Sequence, residues 1–221
     1  MKSLKRILLF VLVPLALVAA VMMGCNVGQY EEPAYTVVDS AKEGIELRHY
    51  APALAAEVTV RGERKEAISL GFRMIADFIF GNNAPRQNIA MTAPVIQQPS
   101  EKIAMTAPVI SQEGAPGQWR VQFIMPSKYT RETLPAPVNP EVKIKPIAER
   151  TLAVIRFAGS NKDDRLIADK ITILQAYLVT RGLKPQSAPI LAFYDPPWTL
   201  PFLRRNEVMI EVKAPSPAKK R

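Results

Sequence analysis

The sequence predicts an α+β domain, a distorted antiparallel β-barrel flanked by two α-helices and built from a duplicated ββαββ unit. Three observations predict it. Apolar segments of strand length recur between Pro, Gly and Ser breaks, and two longer stretches carry helical spacing and stop at a glycine. The order strand, strand, helix, strands then occurs once in each half of the chain.

The first strand begins at Ile45, where Ile45, Leu47 and His49 alternate with Glu46, Arg48 and Tyr50 until Pro52 ends it. Ala53 to Val60 is a second strand, rich in Val and Ala and closed by Gly62. Helical spacing from Glu63 to Phe80 runs up to Gly81, which suits a C-terminal stop. Ile89 to Ile96, Ile103 to Ile110 and Trp119 to Met125 then read as strands. Pro135 to Pro140 connects the halves. In the second half Val142 to Ile147 and Thr151 to Phe157 are strands, Asp163 to Arg181 is a helix stopped by Gly182, and Ile190 to Tyr194 and Val208 to Val212 are strands. Both first-half and second-half helices follow a strand ending in glycine, Gly62 and Gly159, which is the signal for a duplication.

Ahead of this domain, Met1 to Arg6 is basic and Ile7 to Met23 is apolar without interruption, the layout of a secretory signal. The run ends on Gly24-Cys25, similar to the lipobox of bacterial lipoproteins, in which Cys25 is acylated. An uncleaved membrane anchor and a conventional signal are the alternatives. All three export the domain to the cell envelope, on its periplasmic or outer-surface side. The expected organisation is residues 1–24 as signal, 25–34 as tether, 35–212 as folded domain and 213–221 as a disordered basic tail.

A net charge of +9 suggests nucleic acid until the charges are placed. Seven of the 29 basic residues lie in the leader or the last nine positions, leaving 22 against 20 acidic residues and no basic stripe for phosphates. No nucleic-acid partner is expected. With Cys25 the one cysteine and His49 the one histidine, an intrachain disulfide, a CxxC site and a two-His zinc motif are excluded by counting.

Apolar residues on the first helix occupy an arc of about 200°, wider than the ~100° stripe that packing on one sheet requires. One edge of this arc, Ser69, Phe72, Arg73, Ala76 and Phe80, mixes aromatic, small and cationic groups, as a wall for a flat ligand with carboxylates does. The loop from Asp195 to Arg205 carries Trp198, Leu200, Phe202 and Leu203 where loops are usually polar, so it buries them against the barrel, a ligand or a bilayer. Trp198 and Phe202 are its candidate ligand contacts. His49, near a strand end, is either structural or the one imidazole able to coordinate a metal.

The segment Ile89-Ala90-Met91-Thr92-Ala93-Pro94-Val95-Ile96 recurs fourteen positions on as Ile103-Ala104-Met105-Thr106-Ala107-Pro108-Val109-Ile110. It resembles the MTAPV segment of SOUL haem-binding proteins, and Glu46 to Ala53, Ile124 to Ser127, Tyr194 to Pro197 and Arg204 to Val208 are similar to further segments of that family. The resemblance implies a distorted barrel with two helices and a tetrapyrrole held in an apolar groove beside the first helix. By position it puts His49 on the axial iron ligand of one branch, while other members lack that His and hold porphyrin by packing alone. Some members present basic groups toward the propionates where this chain has Ser69 and Asp77, leaving Arg73 as the propionate partner. The expectation is an exported, membrane-tethered binding protein for haem or a related tetrapyrrole, acting as carrier, buffer or scavenger and not as an enzyme. The rivals are a module for another amphipathic small molecule, a tetrapyrrole-modifying enzyme with His49 as proton carrier, and an envelope protein docking a partner through its Pro-rich loop.

Overall fold

The computed structural model describes residues 30–84, 102–196 and 198–213. The leader, Cys25, the first half of the expected tether, the first repeated segment Ile89 to Ile96 and the tail beyond Lys213 lie outside the described residues. The fold lies within Glu31–Arg221.

Its elements are β1 (Tyr35–Ala41), β2 (Ile45–Tyr50), β3 (Ala53–Arg61), α1 (Arg64–Ile79), β4 (Asn83–Ala84), β5 (Val109–Glu113), β6 (Gln118–Ile124), β7 (Ala136–Pro137), β8 (Lys143–Ile147), β9 (Arg150–Phe157), α2 (Asp164–Thr180), β10 (Ile190–Phe193) and β11 (Asn206–Val212). Nine strands form one antiparallel, strongly curled sheet in the order β1-β2-β9-β11-β10-β5-β6-β3-β8, and β4 pairs with β7.

The fold is α+β as the patterning predicts, but the barrel is open. The strands that would have to meet, β1 and β8, end as edges. The reason is local to β8: Pro146 has no N–H to donate, and Lys143 and Lys145 are charged, features that blunt a sheet edge against further pairing. Strand β1, absent from the sequence reading, pairs with β2 despite Val37 and Val38 being half exposed.

The sheet is buried on both faces. Under α2, Ile45, Leu47, Ala153, Ile155, Val208 and Ile210 meet Ile167, Leu174 and Leu178. Under α1, Val58, Val121 and Phe123 meet Ile75, Phe78 and Ile79. On the sheet face away from both helices, Tyr50, Ala55, Ile110, Ile124, Leu152, Val154, Ala192 and Met209 form a third cluster. Arg48 and Tyr50, assigned by alternation to the polar side of β2, are therefore buried as well.

Gly71 lets α1 lie close to β6: a Cβ there would stand 2.7 Å from Val121 Cγ2 and 2.8 Å from its Cβ. The Asp163 side chain caps α2 by accepting from the Leu166 N–H at 3.1 Å. Ile103 to Ile110 is strand only from Val109 onward. Before it, the Ile103 N–H donates to the Ile79 carbonyl at 2.9 Å, and the buried Thr106 hydroxyl donates to the Ile124 carbonyl. The Pro108 ring, with no donor, separates that stretch from the ladder. Among the described residues no helix is long and apolar enough to cross a membrane.

Candidate functional site

Burying Ala67, Gly71, Ile75, Phe78 and Ile79 against the sheet turns a neighbouring stripe of α1 sideways. Lys65, Ile68, Ser69, Phe72 and Arg73 follow i, i+3, i+4 spacing, so they line up along one side of the helix. That side forms one wall of a groove of about 300 Å³. The sheet supplies Val109 and Phe193, which are register partners across β5 and β10. The approach to α2 supplies Asn161 and Lys162, and Asp195 closes the rim.

The groove is apolar inside and cationic at the edge. Phe72 is 37% exposed, its ring centroid 5.3 Å from that of Phe123 beneath it. Arg64 donates through both terminal nitrogens to the Asn161 carbonyl at 3.2 Å and also bonds Asp164, and Lys65 Nζ lies 2.7 Å from the same carboxylate. Hydrogen bonds from Lys65 and Arg64 hold the Asp164 carboxyl below its ordinary range. Arg73 donates to Ser69 Oγ at 3.0 Å. Four cations, Arg64, Lys65, Arg73 and Lys162, thus flank an aromatic and aliphatic floor. Such a site can take a flat apolar body bearing carboxylates.

Of the residues singled out in the sequence, Ser69, Phe72 and Arg73 lie together in this groove. Ala76 is buried, and Phe80, 57% exposed, caps the far end of α1. His49 is not in the lining. Its Nδ1 is 3.3 Å from Thr151 Oγ1 and its Nε2 3.7 Å from Glu149, with the side chain 42% exposed. Trp198 and Phe202 project from the loop after Asp195 and do not line the groove. Sequence reasoning missed Arg64, Lys65, Lys162, Val109 and Phe193. The first two continue the marked helix edge by one turn toward its N-terminus and were legible by extension. The other three come from distant strands and a loop.

A second cleft of about 450 Å³ lies along residues 31–34, 51–54 and 124–131. It is walled by Glu31, Glu32, Arg131 and several prolines, and the Glu31 carboxylate accepts from the Ser127 N–H at 2.8 Å.

Outside both linings a buried charge network surrounds Glu207, which is fully inaccessible. Its carboxylate accepts from Arg48 at 3.0 and 3.1 Å, from Arg205 at 3.1 Å and from Tyr194 Oη at 2.7 Å. Burial opposes the charge on Arg48 and Arg205, yet Glu207 and its hydrogen-bonding neighbours outweigh that and raise both above their ordinary values. Burial likewise pushes the Tyr50 phenol up to about 12, against the lowering effect of its bond from Arg48. Every group here is satisfied from within, the behaviour of a structural clamp.

The sequence matches the family model described as SOUL heme-binding protein over residues 30–211. No curated protein matches it. Among solved structures, the C-terminal domain of EcmrR is similar in fold, with a TM-score of 0.55 at 9% identity, covering 81% of this chain and 98% of that one. A hydrolase from Listeria innocua has a TM-score of 0.50 at 12% identity, covering 79% and 94%. At such identities the likeness is one of fold.

Proposed function

The chain belongs to the SOUL heme-binding protein family, and on that premise we propose that it holds haem or a related tetrapyrrole in the groove beside α1, as an exported, membrane-tethered carrier, buffer or scavenger rather than an enzyme. One observation carries the reading: an aromatic and aliphatic floor of Phe72, Ile68, Val109 and Phe193 rimmed by four cations. Apolar contact with the macrocycle would dominate affinity, and Arg73, Lys65 and Lys162 would meet the propionates.

The residues present fit a porphyrin better than they fit its iron. Among the described residues the groove lining holds no His, Cys, Met or Tyr, the usual haem-iron ligands. The binding mode supported here is packing plus charge, with His49 outside the lining. The groove also lies where two copies of a ββαββ unit would meet. That duplication is supported by a strand order that reads alike outward from the β10-β5 pair, with β11, β9, β2 on one side and β6, β3, β8 on the other.

Export rests on the basic start, the apolar run Ile7 to Met23 and Cys25. A mass measurement of the mature N-terminus tests it: an acylated cysteine supports the tether, and an unmodified chain starting at Met1 refutes the lipoprotein. For the ligand, the purified protein is titrated with haemin and with metal-free protoporphyrin while the Soret band is followed. Saturable binding of both, retained in His49→Ala, is the expected result. Binding of neither overturns the proposal, and loss of haemin binding in His49→Ala moves the site to that histidine.

A further inference from the structure

We infer that the loop bearing Trp198, Leu200, Phe202 and Leu203 docks on the bilayer surface and sets the rim of the groove against it, so that the ligand enters from the lipid. The inference rests on the proposed tether and on the proposed groove ligand, and its test separates all three.

The four side chains are 80%, 54%, 70% and 63% exposed, four large apolar residues uncovered within six positions of one loop. They are held out by a braced backbone. The Gly159 N–H donates to the Pro201 carbonyl at 2.9 Å, the Leu203 N–H to the Leu200 carbonyl at 2.9 Å, and Arg204 Nε to the Thr199 carbonyl at 2.7 Å. A fixed presentation of Trp, Phe and Leu costs little further ordering on binding, and indole and phenyl rings favour the headgroup boundary.

Where the chain enters the domain identifies the occupant. Only six residues, seven Cα–Cα steps, lie between Cys25 and Glu32. At ~3.3–3.6 Å per residue they span at most about 25 Å, so a lipid on Cys25 keeps Glu32 close to the membrane. Glu32 is bound to this loop: its carboxylate accepts from Arg205 Nη1 at 2.9 and 3.0 Å. The short tether therefore holds down the side of the domain that carries the apolar cluster.

The same brace reaches the groove. Arg204 Nη1 lies 3.4 Å from Asn161 Oδ1, and the Arg205 N–H donates to Asp195 Oδ2 at 2.5 Å. Asn161 and Asp195 both line the groove. A loop seated in the headgroups puts that rim at the lipid surface, where an amphipathic macrocycle partitions.

The full chain is reconstituted in vesicles of phosphatidylethanolamine and phosphatidylglycerol with brominated acyl chains, in a Trp119→Phe background that leaves Trp198 as the one tryptophan. Trp198 emission should shift blue and lose more than about half its intensity, as for an indole at headgroup depth. Leu200→Ser with Leu203→Ser should reduce the quenching while the protein still sediments with the vesicles. Haemin uptake from vesicles should slow several-fold in that variant at unchanged affinity in solution. Sedimentation with an unquenched Trp198 overturns the docking and leaves the tether standing. Quenching without stable sedimentation keeps the docking and removes the tether. Equal uptake by both proteins overturns entry from the lipid, and an absence of haemin binding in solution instead removes the ligand reading.

Discussion

Removing the Phe72 ring tests the groove most directly, because that ring is the largest apolar surface it offers. A phenylalanine side chain buries on the order of 150–250 Å². With 37% of Phe72 exposed, roughly 75 Å² is available to a ligand, worth about 2 kcal/mol at ~25 cal/mol per Å². Phe72→Ala should therefore weaken porphyrin binding on the order of 20-fold. The truncation also removes the contact with Phe123 at 5.3 Å, so some thermal stability is lost, and circular dichroism must first show the variant folded at the titration temperature. The Kd is then read from Soret titrations of wild type and variant with metal-free protoporphyrin, which takes iron ligation out of the comparison. A folded Phe72→Ala protein that binds within twofold of wild type would refute the placement of the macrocycle against α1.

Other perturbations probe the rim, the clamp and the helix seat. Arg73→Glu with Lys162→Glu should weaken protoporphyrin binding by about tenfold or more, since charge-assisted bonds contribute ~1.5–3 kcal/mol each, and should leave the dimethyl ester unaffected in the same titration. The Tyr50 phenol, raised to about 12 by burial, binds its proton more tightly folded than unfolded. Its contribution is complete below pH ~10 and is lost as pH rises toward 12, so urea midpoints should fall over that window by up to about 2–3 kcal/mol of stability, with a shallower fall in Tyr50→Phe. Gly71→Leu places a side chain where even a Cβ meets Val121 at 2.7 Å and should cost about 1–3 kcal/mol, read as a lowered Tm. Glu207→Leu leaves the buried Arg48 without its main counter-charge and should destabilise by about 3–5 kcal/mol in chemical denaturation.

Much of the architecture was legible in the residues because strand and helix periods are local. Ile45 to Tyr50 alternates, Glu63 to Phe80 keeps helical spacing, and Gly81 and Gly182 stop helices at positive φ. The excess apolar arc of α1 also pointed to its exposed edge. Alternation misled at Arg48 and Tyr50, because a curled sheet buries its second face and hydrogen bonds there replace apolarity as the condition for burial. The segment Ile103 to Ile110 looked like strand because its composition is apolar, yet Thr106 and Ile103 find their hydrogen bonds outside any ladder.

The sequence by itself determined the α+β class, both helices, most strand positions and one wall of the groove, since each follows from residues within a few positions of one another. Tertiary structure alone decided that the sheet stays open at β1 and β8, that Val109, Phe193 and Lys162 face Phe72, and that Trp198 and Phe202 are left uncovered. Those outcomes depend on how far the sheet curls and where α2 begins relative to α1, which packing of residues a hundred or more positions apart sets, as in the Arg64–Asp164 and Arg48–Glu207 pairs.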